Sequence, residues 1–320
     1  MRIGVVALVL LFAACSDSSP VSGVAHTSAE ASCRLPIWVD RADGTGFHGG
    51  FVDFPSGRVT FDPRGEGGRY YDWQIGRWLP VDRHGLSPDG SHYASAGGTP
   101  DLKPILRIFD IATGAEKVYP LPDELSIGLS GPVVLGYSAT SIYIGEPTEV
   151  GMRALWTFDL ATHKTTFIDL SGLNAIDGTS VWRTTADSAD QTASPAPGFV
   201  RPMSQIELFD LTRGSHTLWL QSPGHALAVI GVDTNHDPIV LDSIDKQTIQ
   251  VLVLLGPSKP QVIFQGSVET WPAYISGTSA DSQGLWFGSD KGVYRYSYRG
   301  ELTKVTDQAA TPAGDCRNQS

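Results

Sequence analysis

Phe109-Asp110-Ile111-Ala112-Thr113-Gly114 is the stretch on which the fold turns, because it recurs along the chain. Related copies stand at Tyr71-Asp72-Trp73-Gln74-Ile75-Gly76, Phe158-Asp159-Leu160-Ala161-Thr162-His163 and Phe209-Asp210-Leu211-Thr212-Arg213-Gly214. Weaker ones occupy residues 253–259 and Tyr296-Ser297-Tyr298-Arg299-Gly300. Each copy follows an alternating apolar segment, such as residues 105–109 or 206–209, and precedes another, such as 116–119 or 217–220. Aspartate at a turn start accepts hydrogen bonds from amides ahead of it, and glycine at the turn end tolerates positive φ. The motif therefore reads as a hairpin turn between two strands, with its aspartates in a structural role.

The anchors at 71, 109, 158, 209, 253 and 296 are separated by 38, 49, 51, 44 and 43 residues. A repeat of about 40 to 50 residues, each unit made of short strands, is the signature of propeller blades. The expectation is an all-β chain forming a single β-propeller of six four-stranded blades, the recurring turn joining the third strand of each blade to its fourth. A seventh blade is compatible with the weaker anchors. The first blade is expected to use strands near residues 50–54, 58–61, 69–73 and 77–81. Prolines and glycines, 21 and 35 of them, interrupt any helical period, so helical folds are excluded.

Two further segments carry a family resemblance. Leu86-Ser87-Pro88-Asp89-Gly90-Ser91-His92-Tyr93-Ala94 resembles the turn between the first two strands of WD40-like propellers of the TolB type. Asp281-Ser282-Gln283-Gly284-Leu285-Trp286-Phe287-Gly288-Ser289, running into Gly292-Val293-Tyr294-Arg295-Tyr296, is similar to the blade repeat of sensor-type propellers. With the hairpin repeats the resemblance covers most of residues 34–306. It implies architecture, since each motif specifies a blade and none a ligand.

The N-terminus supplies a location. Arg2 precedes an apolar run through Ala14, the pattern of a signal peptide over residues 1–14 and too short to span a bilayer that needs about 20 apolar residues. Phe12-Ala13-Ala14-Cys15 resembles a bacterial lipobox, with Phe where Leu is commoner. Cys15 is accordingly expected to carry a diacylglycerol thioether with palmitate-type chains, and residues 15–32, rich in Ser and Ala, to act as a flexible tether. An unmodified thiol after ordinary cleavage is the alternative. Cys33 and Cys316 bound the propeller domain at 33–316 and are expected to be bonded to each other in an oxidising compartment, leaving residues 317–320 as a tail.

A formal charge of −11 without any Lys/Arg cluster disfavours nucleic acid as a partner. The eight histidines show no local metal-binding spacing, and no nucleophile elbow, phosphate loop or dinucleotide fingerprint occurs, so neither a metal nor a cofactor is implied and no catalytic residue is assigned. Asp233-Thr234-Asn235-His236-Asp237 reads as a strand-connecting turn in preference to a calcium loop, because a following Gly and distal Glu are missing. Trp78, Trp156, Trp219 and Trp286 lie in alternating segments and are expected in the core. Trp182 with Arg183, and Trp271, fall near expected strand ends, where they are candidates for a sugar or peptide site. Residues 184–203 form an irregular insertion, either a surface loop or an arm reaching over one face. The expected function is that of an extracytoplasmic, lipid-anchored, non-catalytic binding or scaffold module for an envelope protein or glycan. A propeller enzyme of the metal-dependent lactonase or glycosidase type, with its site in the central funnel, is the alternative, and a sensory or assembly module docking through one face is a third.

Overall fold

The computed structural model describes residues 32–41, 44, 46–125, 131–148, 151–186, 203–245, 247–267, 275–298 and 301–318. The signal peptide, Cys15, the tether up to residue 31, Trp271 and residues 187–202 of the insertion lie outside the described residues.

The chain is a six-bladed β-propeller. Blade 1 orders its strands from the axis outward as β25 (Thr311–Pro312), β1 (Cys33–Asp40), β2 (Phe47–Phe54) and β3 (Arg58–Glu66). In blade 2 a bridge from Leu86 to Tyr93 supplies the innermost position beside β6 (His92–Gly98), β7 (Pro104–Asp110) and β8 (Glu116–Pro120). Blade 3 comprises β9 (Val133–Tyr137), β10 (Ser141–Thr148), β11 (Gly151–Asp159) and β12 (Thr165–Ile168). Blade 4 comprises β13 (Leu173–Asp177), β14 (Ser180–Thr185), β15 (Gln205–Asp210) and β16 (Ser215–Gln221). Blades 5 and 6 are β17 (Ala226–Val232) to β20 (Pro260–Ser267) and β21 (Ile275–Asp281) to β24 (Leu302–Thr306), all antiparallel. Inner strands of successive blades touch in series from β6 through β9, β13, β17 and β21 to β25.

Sequence patterning follows radial position. Glu-Lys-Val-Tyr-Pro in outermost β8 is almost wholly exposed, whereas Gly-Leu-Trp-Phe-Gly-Ser in the second strand of blade 6 is buried throughout. The core is a set of clusters between blades. Leu106, Ile142, Ile144 and Phe158 fill the junction of blades 2 and 3, and Trp182, Ile206, Val240 and Leu252 that of blades 4 and 5. Each fully buried Leu, Ile or Phe contributes about 1.5–3 kcal/mol, so every blade is held mainly by its neighbours. Of the tryptophans expected in the core, Trp286 is fully buried and Trp156 buried, with Trp78 and Trp219 half-buried.

The ring closes on a two-part seam. β25, from the C-terminus, pairs with β1 from the N-terminus through Ile37↔Pro312 and Trp38↔Thr311, and the pairing extends to a bridge between Arg34 and Arg317. Cys33 and Cys316 form a disulfide across it, as the cysteine positions predict. Asp281 of blade 6 accepts hydrogen bonds from the Cys316 amide at 2.6 Å and the Trp286 indole at 2.9 Å, which ties the incoming strand to the last blade as well. At Gly57, φ is +70° and a Cβ would sit 2.2 Å from the Val305 carbonyl oxygen, so the blade 1 turn approaches blade 6 as only glycine permits.

The recurring turn does join third to fourth strands in blades 2 to 6. Its aspartates work as the sequence suggests: Asp110 accepts from the Thr113 amide at 2.8 Å, Asp159 from Thr162 at 2.7 Å and Asp210 from Thr212 at 2.8 Å. Blade 1 differs from expectation. Its third-to-fourth turn is Val52-Asp53-Phe54-Pro55-Ser56-Gly57, where Gly57 N–H donates to Asp53 O as Gly114 does to Asp110 O. The Tyr71 copy instead forms a separate hairpin of β4 (Tyr70–Asp72) and β5 (Arg77–Leu79). That hairpin is a wedge between blades 1 and 2. Tyr71 and Trp78 pack on Phe51 of blade 1 at 4.9 and 5.6 Å, while Leu79 clusters with Ile111 and Tyr93 of blade 2. Aromatic volume takes the place that an extra pair of strands would fill.

Candidate functional site

The wedge hairpin, the Ser-Pro-Asp-Gly turn and the C-terminal segment converge on a cleft of about 360 Å³, within the usual size range of small-ligand pockets. Tyr70, Asp72, Trp73 and Gln74 come from the hairpin, Arg83 and residues 86–90 from the entry to blade 2, and Asp315 and Arg317 from the segment after the closing strand β25. It lies at the end of the propeller that carries the first-to-second and third-to-fourth turns, since the Ile111 amide donates to Ser91 O between those two turns of blade 2.

Local chemistry fixes each wall. Asp89 accepts from the Ser87 hydroxyl at 2.7 Å and from the Ser91 amide and hydroxyl at 3.0 and 2.8 Å. Those donors, Ser87 first, hold its carboxyl at about 2, so it is ionised under any physiological condition. Asp315 is a hub: Arg83 reaches its Oδ1 at 2.9 Å, Arg317 its Oδ2 at 3.8 Å, and the Trp73 indole donates to its backbone carbonyl at 2.8 Å. Burial pushes the Tyr70 phenol above its ordinary range. Asp72 is 7% exposed and takes one hydrogen bond, from the Gln74 amide to Oδ1 at 2.7 Å.

A second constellation stands at the opposite end, where β17 begins. His225 Nδ1 lies 2.9 and 3.1 Å from the two carboxylate oxygens of Asp242, which is 1% exposed, and the Gln250 amide donates to Asp242 at 2.7 Å. A buried carboxylate on Nδ1 fixes the ring orientation, and the side chain keeps 29% of its surface exposed. Among the described residues no group of three or more His, Cys, Asp or Glu side chains could hold a metal ion. Asp233 accepts from the Asn235 and Asp237 amides at 2.8 and 2.9 Å, in the turn between the first two strands of blade 5.

Of the residues singled out as possible ligand contacts, Trp182 and Arg183 do not line the cleft, and Trp271 lies outside the described residues. Trp182 is 2% exposed in the middle of β14, edge-on to Trp219 at 4.6 Å, and its indole N–H has no acceptor among the described residues. Arg183, beside it in sequence, points to the other face of blade 4 and forms a two-pronged ion pair with Glu207 at 2.9 and 2.5 Å. Alternation along a strand sends these neighbours to opposite sides. Sequence reasoning missed the cleft because its third wall, Asp315 and Arg317, lies more than 220 residues from the other two. The one available signal was the doubling of the wedge motif with Ser-Pro-Asp-Gly within a short span.

No protein-family model matches the chain, and no curated protein matches it. Among solved structures it is similar to TolB from Acinetobacter baumannii, at 14% identity and a TM-score of 0.51 over 88% of this chain and 67% of that one. It is also similar to the β-propeller domain of the Trilobed protease from Pyrococcus furiosus, at 11% identity and 0.47 over 84% of each chain. A third likeness is to Pyrococcus horikoshii acylaminoacyl peptidase, at 9% and 0.44, over 86% of this chain and 44% of the peptidase. At such identities the likeness to TolB speaks to fold alone, and it agrees with the strand order: the chain is a β-propeller.

Proposed function

We propose that this chain is a non-catalytic binding module, anchored outside the cytoplasm by lipid on Cys15, and that it holds an envelope protein segment or a glycan in the cleft beside its seam. The observation that carries this reading is the cleft itself, in which Asp72, Asp89, Arg317 and Gln74 surround the partly open rings of Tyr70 and Trp73. Polar groups of both signs around an aromatic floor suit recognition of a hydrogen-bonding ligand. The disulfide supports an oxidising compartment. Capture from a membrane fraction, alongside sugar and peptide arrays, tests the reading with the wild-type chain and a Gln74→Trp variant that fills the cleft. A partner or array ligand retained by the wild type and lost by the variant supports it; no ligand for either, or equal capture by both, refutes it.

The second reading, a propeller enzyme with its site in the funnel, has one observation in its favour: the imidazole of His225 backed by buried Asp242, an arrangement general bases use. Turnover of lactone or glycoside substrates by the pure protein, abolished by His225→Ala, would establish it over the first.

A further inference from the structure

Asp72 is the least explained charge in the cleft. Its side chain is buried to nine-tenths, it accepts one hydrogen bond on Oδ1, and Oδ2 has no partner among the described residues. No cation pairs with it there either. The two guanidiniums of the cleft and the one on the facing strand are engaged elsewhere: Arg83 and Arg317 on Asp315, and Arg77, opposite Asp72 in the hairpin, on the Ile111 carbonyl at 3.2 Å. A carboxylate this enclosed and without a counter-charge is completed by whatever meets its open oxygen, water or a ligand. Since Asp72 lines the cleft, what exposure it keeps faces that space.

The surroundings favour one kind of complement. Asp89 presents a second carboxylate to the same space, with Oδ1 saturated by Ser87 and Ser91 and Oδ2 without a partner among the described residues. Tyr70 and Trp73 also line the space, and aromatic faces attract cations. The lining carries three carboxylates, Asp72, Asp89 and Asp315, against two guanidiniums, Arg83 and Arg317, so the cleft is left with one net negative charge. Resting on the binding-module reading, we propose that the cleft takes a ligand through an ammonium or guanidinium group, which the carboxylates of Asp72 and Asp89 receive beside Tyr70 and Trp73.

Titration of the full chain, followed by amide and indole NMR shifts, tests this with capped Gly-Gly-Lys-Gly-Gly and Gly-Gly-Arg-Gly-Gly. Their acetyl-lysine and citrulline counterparts, cadaverine and chitotriose serve as the other probes. The charged peptides or cadaverine are expected to shift the Trp73 and Asp315 signals at least tenfold more tightly than the neutral counterparts. Tighter binding of the peptides assigns the cation to a polypeptide, tighter binding of cadaverine to a free amine. Asp72→Asn keeps the Oδ1 acceptor for Gln74 and removes the charge, so it should lower affinity at least tenfold without lowering the melting temperature. Equal binding of charged and neutral peptides, unchanged affinity in Asp72→Asn, or silence of every charged probe overturns the proposal. Chitotriose or a neutral peptide shifting the cleft signals alone would overturn the cationic ligand yet leave the binding module standing. No probe acting there, with Gln74→Trp still capturing a partner, would overturn both.

Discussion

Removing the seam disulfide by the paired substitution Cys33→Ala and Cys316→Ala should cost several kcal/mol and be felt first at the closing strand. The bond spans 283 residues of sequence, and the chain-entropy model then gives about 5–6 kcal/mol of denatured-state restriction. Native disulfides removed from real domains cost about 2–5 kcal/mol, because residual structure in the unfolded chain reduces the entropic part. Both cysteines are buried, at 4% and 6% exposure, so the truncation also leaves a small void. A net loss of about 3–5 kcal/mol corresponds to roughly 6–10 °C in Tm, at roughly 2 °C per kcal/mol for a domain of this size. Calorimetry of the double variant measures the shift, and hydrogen exchange locates it. The amides of Ala313 and Arg317, bonded to Pro36 O and Arg34 O, should lose protection before those of β11 in blade 3. A melting temperature within about 1 °C of wild type, with unchanged exchange at those two amides, would refute the claim that the disulfide fastens the ring.

Other perturbations probe separate parts of the account. Asp281→Ala strands the Trp286 indole and the Cys316 amide and should cost about 2–4 kcal/mol in urea unfolding, an effect that shrinks if the disulfide is already absent. Phe158→Ala, at a fully buried site between blades 2 and 3, should cost about 3–5 kcal/mol by the same measurement. Gly57→Ala should destabilise by about 2 kcal/mol or more, since its methyl meets the Val305 carbonyl and its φ is positive; a neutral effect would show that blades 1 and 6 can part there. For Asp89 the folded carboxyl is depressed from 3.8 to about 2, so its stabilising effect is full above pH 4 and declines as pH falls towards 2. Asp89→Asn should flatten the acid limb of a stability profile over that window; an unchanged limb would contradict the hydrogen bonding assigned to this turn.

Much of the architecture was legible because the turn chemistry repeats. Asp110, Asp159 and Asp210 each need amides ahead of them and a residue after the turn that accepts positive φ, and those demands leave a readable trace. Blade 1 escaped because Val52 replaces the aromatic in its copy, while Asp53 and Gly57 keep their spacing; Asp followed four residues later by Gly would have found it. The Tyr71 copy misled for the converse reason, since a hairpin turn encodes a hairpin and says nothing about which sheet it joins. The cleft was illegible for a topological reason. Trp73 and Asp315 are 242 residues apart and meet only because the C-terminus returns to blade 1. Trp182 and Arg183 drew notice as neighbours, whereas the strand sends one into the core and the other into an ion pair.

The central claim, that this propeller acts by holding a partner in the cleft beside its seam, is tested most directly by photo-cross-linking in the cell envelope. A benzophenone amino acid in place of Gln74 sits in the cleft, and the same group in place of Lys103 sits on the second-to-third turn of blade 2, at the opposite end. The account predicts a discrete adduct from position 74, suppressed by Asp72→Asn, and none from position 103. Adducts from position 103 with none from 74, or adducts at 74 that ignore Asp72→Asn, would contradict it.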